Sequence, residues 1–172
     1  MPFSNILALI PASGKGNRFG QPKHQAIIKG KSFITCILDT LKEAGINNIY
    51  IAKDFKTKDM LSTLRYALKQ LNTDIFAGFL IFPVDHPLVQ CSTINSLCSA
   101  FNQIPEIVIR PCYNGQSGHP VIIPSTLDLF KDDYEQGLAY IIRTQAKGIF
   151  DLPVEDKSIL LNINRPGDLI WT

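Results

Sequence analysis

Charge and sulfur are both scarce in this chain. Asp, Glu, Lys and Arg make up 19% of its 172 residues, below the usual quarter, and the formal net charge is only +2. So small a balance excludes a general polyanion binder, and neither nucleic acid nor a membrane surface is an expected partner. Cys36, Cys91, Cys98 and Cys112 form no Cys-x-x-Cys pair, and His24, His86 and His119 complete no finger-like spacing with them. Reduced structural thiols in a cytoplasmic protein are the expectation. The opening MPFSNILALIPASG has no basic region before its apolar stretch, unlike a secretory leader. No uncharged apolar run approaches the roughly 20 residues of a membrane helix; the best, Ile75 to Val84, reads as a buried strand. Repeats, low-complexity stretches and dividing linkers are also missing, so one domain over residues 1–172 is expected.

Hydrophobic residues, at 45%, are plentiful enough to build a core without staples. Their pattern alternates between strand and helix. Ile6–Pro11 reads as a buried strand. Ser32 to Ala44 reads as a helix capped by Ser32 and ended by Gly45, with Phe33, Ile37, Leu38 and Leu41 on one face. Asn48–Ala52 is a second strand, and Met60 to Leu71 has helical spacing. Gly78–Val84 is a third strand, followed by a helix over about 93–102. Strands at Ile107–Arg110 and Pro120–Ile123 flank a polar loop, YNGQSG. Short helices are expected at 126–131 and 137–145, strands at 148–152 and 159–163, and a last turn at 166–171. This order predicts an α/β fold: a mostly parallel sheet with helices on both faces, some later strands running antiparallel at an edge.

The charge is unevenly distributed. The first acidic residue is Asp39, and Lys15, Arg18, Lys23, Lys29 and Lys31 precede it. Gly14, Gly16 and Gly20 punctuate the same stretch directly after the first strand. Glycines permit close backbone approach, successive N–H groups form anion-binding concavities, and the loop after a parallel strand is where ligands bind. A phosphate-binding loop is the reading; a merely solvated turn is the alternative. Two familiar loops do not fit. The dinucleotide fingerprint needs glycine at position 19, which is Phe19, and a P-loop ending in Gly30-Lys31-Ser32 would need glycine at Gln25. Lys31 reads as a helix-start surface residue.

A second feature is a carboxylate, Asp85, at the end of the very apolar third strand. It either caps the next segment or coordinates something, and beside a phosphate-binding loop it becomes a candidate ligand for Mg²⁺.

The stretch from Leu9 to Lys23, LIPASGKGNRFGQPK, resembles the signature loop of the MobA/MocA-like nucleotidyltransferases, and more distantly that of the methylerythritol-phosphate cytidylyltransferases. The match falls at Ala12, Ser13, Gly14, Gly16, Arg18, Phe19, Gly20, Pro22 and Lys23. The resemblance implies a Rossmann-like fold of the nucleotide-diphospho-sugar transferase type. It implies that Ala12, Ser13, Gly14, Lys15 and Gly16 wrap a nucleoside triphosphate, that Arg18 holds the β- and γ-phosphates, and that Lys23 sits on the α-phosphate. PVDHPLV is similar to the family's second motif, whose aspartate binds Mg²⁺; this implies Asp85 as metal ligand and His86 beside the acceptor. Gly118-His119-Pro120 resembles a Gly-His-Pro motif near the acceptor, with a plain hairpin as the alternative. The segment from Met60 to Arg65 is similar to one approaching base and ribose; Ser62 is its candidate contact, with Met60, Leu61 and Leu64 read as core.

Two departures accompany the resemblance. The segment Lys53–Asp59 is short, and Asp59 stands where the family has glycine. Asn162-Ile163-Asn164-Arg165-Pro166-Gly167-Asp168-Leu169 aligns with Asp-Ile-Asp-Thr-Pro-Glu-Asp-Leu, so Asn162 and Asn164 replace two aspartates, the second a metal ligand. An amide oxygen can ligate Mg²⁺ but removes a negative charge. The expected activity is transfer of NMP from an NTP, CTP before GTP, to a small phosphorylated acceptor such as molybdopterin, with Mg²⁺ and release of pyrophosphate. A noncatalytic nucleotide-binding protein is the alternative, and a basic docking surface for protein or RNA a third.

Overall fold

A computed structural model of the chain describes residues 3–13, 22–53, 55–131, 137–165 and 167–168. In chain order the elements are β1 (Ile6–Pro11), a 3-10 turn (Lys23–Gln25), β2 (Ile27–Ile28), β3 (Lys31–Ser32), α1 (Phe33–Glu43), β4 (Ile49–Ala52), α2 (Met60–Leu68) and β5 (Gly78–Ile81). There follow α3 (Cys91–Gln103), β6 (Val108–Tyr113), β7 (Gln116–Ser117), β8 (Val121–Pro124), α4 (Gly137–Gln145), β9 (Ile149–Pro153) and a second 3-10 turn (Lys157–Leu160).

Seven strands form one mixed sheet in the order β4-β1-β5-β8-β6-β7, with β9 also pairing β6; β2 and β3 make a separate ribbon. β1 runs parallel to both β4 and β5, and β6 parallel to β9. β8 runs antiparallel to β5 and to β6. β7, also antiparallel to β6, ends the strand order, whereas β8 lies inside the sheet. It is interior because β6 turns back through β7 before β8 inserts beside β5.

Side chains alternate along β1 between two apolar layers. Ile6, Ala8 and Ile10 point to one layer with Phe33, Ile37 and Leu41 of α1 and Leu97 and Phe101 of α3. Leu7 and Leu9 point to the other, with Leu61, Leu64 and Leu68 of α2 and Leu138, Ile141 and Ile142 of α4. β5 alternates in the same way, Leu80 to the first layer and Phe79 and Ile81 to the second. Period-2 alternation of purely apolar residues is what a strand covered on both faces requires. Gly78 is imposed by this packing, since a Cβ there would stand 2.3 Å from the Phe101 ring.

Local signals place most elements. The Ser32 hydroxyl accepts from Thr35 N–H and starts α1, and Gly45 at φ 77 ends it. Asp59 accepts from Ser62 N–H and starts α2. The polar loop between the late strands is a tight hairpin: Asn114 and Gly115 both have positive φ, 48 and 78, as a type I′ turn demands. Two expected elements are replaced. Residues 125–131 are turns rather than a helix, because the Asp128 carboxylate takes the N–H groups of Phe130 and Lys131. Residues 159–163 form no strand; Lys157–Leu160 is a 3-10 turn instead. The expected turn at 166–171 falls mostly outside the described residues.

Asp156 explains that 3-10 turn. It is 2% exposed and accepts from Ser158 N–H and Oγ–H, and across the fold from Gln90 N–H and Thr93 Oγ–H. It thereby caps α3, whose N-cap residue Gln90 makes no side-chain cap bond, and fixes the start of the segment leading to Asn164. The four cysteines are free, and burial pushes the Cys98 thiol up to about 12, consistent with an inert structural thiol. Among the described residues no helix is long and apolar enough to cross a membrane. Replacing Asp156 with Ala should cost about 3 kcal/mol by orphaning buried donors, and Asp156→Asn distinctly less; urea unfolding of the two variants measures the difference.

Candidate functional site

The parallel strands β1, β4 and β5 end on the same side of the sheet, and a cleft of about 210 Å³ opens there. Open α/β sheets bind ligands outside these carboxyl ends. Pro11 and Ser13 follow from β1, and Pro83, Val84 and Asp85 from β5; Thr57, Lys58, Asp59, Met60 and Thr63 come from the start of α2. Lys23, on the first 3-10 turn, completes the lining. The Ser13 hydroxyl donates to the Ala52 carbonyl at 3.1 Å, tying the exit of β1 to the end of β4.

Lys23 and Asp85, 62 positions apart in the chain, meet here. Lys23 Nζ lies 3.1 Å from Asp85 Oδ2 and also donates to Asn164 Oδ1. The two charged side chains are 21% and 19% exposed, sheltered enough for the pair to outweigh an open surface bridge and still reachable from the cleft. Asp85 caps no helix; it sits in a turn, and α3 is capped by Asp156. The segment bearing Asn164 is pinned by Ile163 N–H to the Asp85 carbonyl at 2.8 Å. Asn164 Nδ2 donates to Asn162 Oδ1 at 2.5 Å. The N–H groups of Asn164 and Arg165 close on Asp168 Oδ2, and these bonds hold the Asp168 carboxyl below its usual range.

Two imidazoles stand behind the carboxylate. His86 is 4% exposed, its Nε2 3.9 Å from Asp85 Oδ1, and its ring centroid is 4.9 Å from that of His119. Burial, with His119 and Lys23 adding to it and Asp85 opposing, pushes His86 from 6.5 down to about 4. Burial also lowers His119. Neither Nδ1 has a hydrogen-bond partner among the described residues. Gly118 lets the backbone approach closely: a Cβ there would stand 2.4 Å from the Ile159 carbonyl, which accepts from His119 N–H at 3.0 Å. The His119–Pro120 peptide is cis.

A divalent ion can be judged against this donor set. Asp85 and Asn164 each direct an oxygen at a single cationic centre, the Lys23 ammonium, so the pair suits a hard, oxygen-seeking ion with most ligands supplied by phosphate and water. Among the described residues no group of three His, Cys, Asp or Glu side chains could hold a metal.

Of the residues singled out in the sequence, Ser13, Lys23, Asp85, His86, His119 and Asn164 gather at or beside the cleft. Ala12 is buried behind it, its N–H bonded to the Ala52 carbonyl. Gly14, Lys15, Gly16 and Arg18 lie outside the described residues. On α2 the lining is Met60 and Thr63 rather than Ser62. Thr57, Lys58 and Thr63 carried no signal in the sequence; Thr57 and Thr63 share a 2.6 Å hydroxyl contact, which only the fold reveals.

The profile of the MobA-like NTP transferase domain matches residues 50–148, more than half of the chain. No curated protein matches. Among solved structures, Rv0371c of Mycobacterium tuberculosis H37Rv is similar with a TM-score of 0.79 at 18% identity, over 98% of this chain and 97% of that one. Its complex with manganese gives 0.72 at 17% identity over the same shares. The 2-C-methyl-D-erythritol 4-phosphate cytidylyltransferase of Thermus thermophilus gives 0.70 at 14% identity, over 96% and 95%. At such identities the likeness concerns the fold.

The buried imidazole makes stability depend on pH. His86 is neutral in the fold and protonates near 6.5 when unfolded, so the unfolded chain binds more protons and stability falls as pH drops from about 6.5 towards 4. In chelator-containing buffer the loss between pH 7 and pH 5 should be on the order of 2 kcal/mol. Urea midpoints at the two pH values should differ less in His86→Leu than in the parent chain.

Proposed function

Because the chain belongs to the MobA-like NTP transferase domain family, we propose that its cleft transfers NMP from a nucleoside triphosphate to a small phosphorylated acceptor. The observation that carries this reading is the convergence of Lys23, Asp85 and Asn164 at the ends of the parallel strands. The acceptor oxygen attacks the α-phosphorus in line, the bond to the bridging oxygen breaks, and pyrophosphate leaves. A phosphate oxygen is already anionic near neutral pH, so no general base is required.

Lys23 neutralises charge growing on the α-phosphoryl group. Arg18 and Lys15, together with backbone N–H groups of Ser13, Gly14 and Gly16, hold the triphosphate, with Ala12 packed behind the cleft. Asp85 and Asn164 are the residues to hold Mg²⁺, which when bound offsets charge on the departing pyrophosphate. His86 and His119 stand on the acceptor side as neutral imidazoles, the first buried and the second half-buried, that add polarity without charge. Ser62 remains the ribose-side contact, with Met60 and Thr63 nearer the cleft. The small-residue run ending in Ser13 and the His-Pro-Leu-Val string favour CTP over GTP and molybdopterin as acceptor. A cytoplasmic setting accords with four unpaired cysteines.

A second reading follows from Asn162 and Asn164. With both aspartates absent, the site has one carboxylate to hold its metal, and the chain would bind nucleotide without turning it over. Incubation with each NTP, Mg²⁺ and acceptor, followed by thermal melting and pyrophosphate release, separates the two. The transferase reading expects protection by one preferred NTP and release of pyrophosphate. Lys23→Ala should keep the fold and cut turnover about 100-fold or more; an unimpaired Lys23→Ala enzyme would refute the assignment. Protection without turnover, relieved by Asn164→Asp, identifies the noncatalytic reading.

A further inference from the structure

Lys23 Nζ contacts the same two oxygens, Asp85 Oδ2 and Asn164 Oδ1, that the reading above assigns to a divalent ion. The Asp85 backbone and the Asn164 amide are held by bonds that do not involve Lys23. Ile163 N–H holds the Asp85 carbonyl, and Asn164 Nδ2 is engaged by Asn162 Oδ1, leaving Asn164 Oδ1 towards the ammonium. The loop is closed by Asp168, which takes two N–H groups.

The local charges balance. Lys23 contributes one positive charge and Asp85 one negative charge, and Asn164 contributes none. Asp168 and Arg165 bring one of each sign at the outer edge, where Arg165 is exposed. An aspartate at position 164 would have left a negative charge after pairing with Lys23; asparagine leaves none.

We propose that the Lys23 ammonium is the resident cation of the Asp85–Asn164 oxygen pair, and that Lys23 and a divalent ion hold this pair by turns. The incoming phosphates draw Lys23 off the two oxygens, and the ion that accompanies the nucleotide takes its place. Metal therefore enters with the nucleotide rather than ahead of it. The inference builds on the transferase reading, because it gives Lys23 two successive anionic partners. The geometry of the exchange can nevertheless be tested without any nucleotide.

The probe is Mn²⁺ alone, its free-ion electron paramagnetic resonance signal followed as protein is added at low ionic strength. The parent chain should bind it weakly. Lys23→Gln and Lys23→Met, checked for folding by thermal melting, should bind it about tenfold more tightly, since the ammonium that competes for the two oxygens is removed. Adding Asp85→Asn to Lys23→Gln should abolish the gain. Asn164→Asp, which alters no side-chain volume of note and retains Lys23, should also bind Mn²⁺ more tightly than the parent. If the folded Lys23 variants bind no better than the parent, or if their gain survives Asp85→Asn, the exchange is refuted. An unchanged affinity in Asn164→Asp would equally refute the charge-balance argument. No NTP or acceptor is present, so a chain inactive in transfer can pass this test and an active one can fail it.

Discussion

One ammonium group joins three parts of the chain that lie far apart in sequence. Lys23 follows the first strand, Asp85 follows the third parallel strand, and Asn164 lies 141 positions beyond Lys23. A lone carboxylate at the end of an apolar strand is costly unless something compensates it. Lys23 compensates Asp85, and the Asn164 amide oxygen takes a second of its three N–H groups. The rest of the architecture is arranged so that this meeting can occur: parallel pairing brings the ends of β1 and β5 side by side, and the buried Asp156 anchors the segment that returns to them.

The surroundings set how strong that interaction is. Below it, two layers of aliphatic and aromatic side chains exclude water from both faces of the sheet. Beside it, two imidazoles are held neutral by burial, so they add polarity without adding charge. The result is a small, electrically balanced group at the floor of a cleft, where the field of one added phosphate or one added cation is felt strongly. That balance also distinguishes this chain from the aspartate-bearing pattern its last motif resembles.

The family relationship and the fold agree with one another through different residues. The family profile covers residues 50–148, which hold Asp85, His86 and His119, whereas the phosphate-loop resemblance rests on Leu9 to Lys23. Lys23 and Asn164 both fall outside the profile, yet the structure brings them onto Asp85. The fold likeness to Rv0371c runs over 98% of the chain, well beyond the bounds of the profile.

The linear pattern sufficed for β1, α1, α2, β5 and α4, because each is determined by nearest-neighbour chemistry: a cap, a breaker and an apolar period of two or of 3.6. It also made Asp85 conspicuous, as a carboxylate at the end of an apolar strand, and Lys23, as one of five cations before the first acid; His86 and His119 were singled out through the motif resemblance. It misjudged 126–131 and 159–163, where the side chains of Asp128 and Asp156 capture backbone N–H groups, and it could not foresee that β8 would enter the middle of the sheet. Thr57, Lys58 and Thr63 joined the cleft unannounced. The Asp128 and Asp156 turns are local captures of N–H groups two or three positions on, which apolar periodicity does not register; the place of β8 and the lining of the cleft were decided only in three dimensions, because they depend on neighbours tens of residues apart, for which local propensity holds no term.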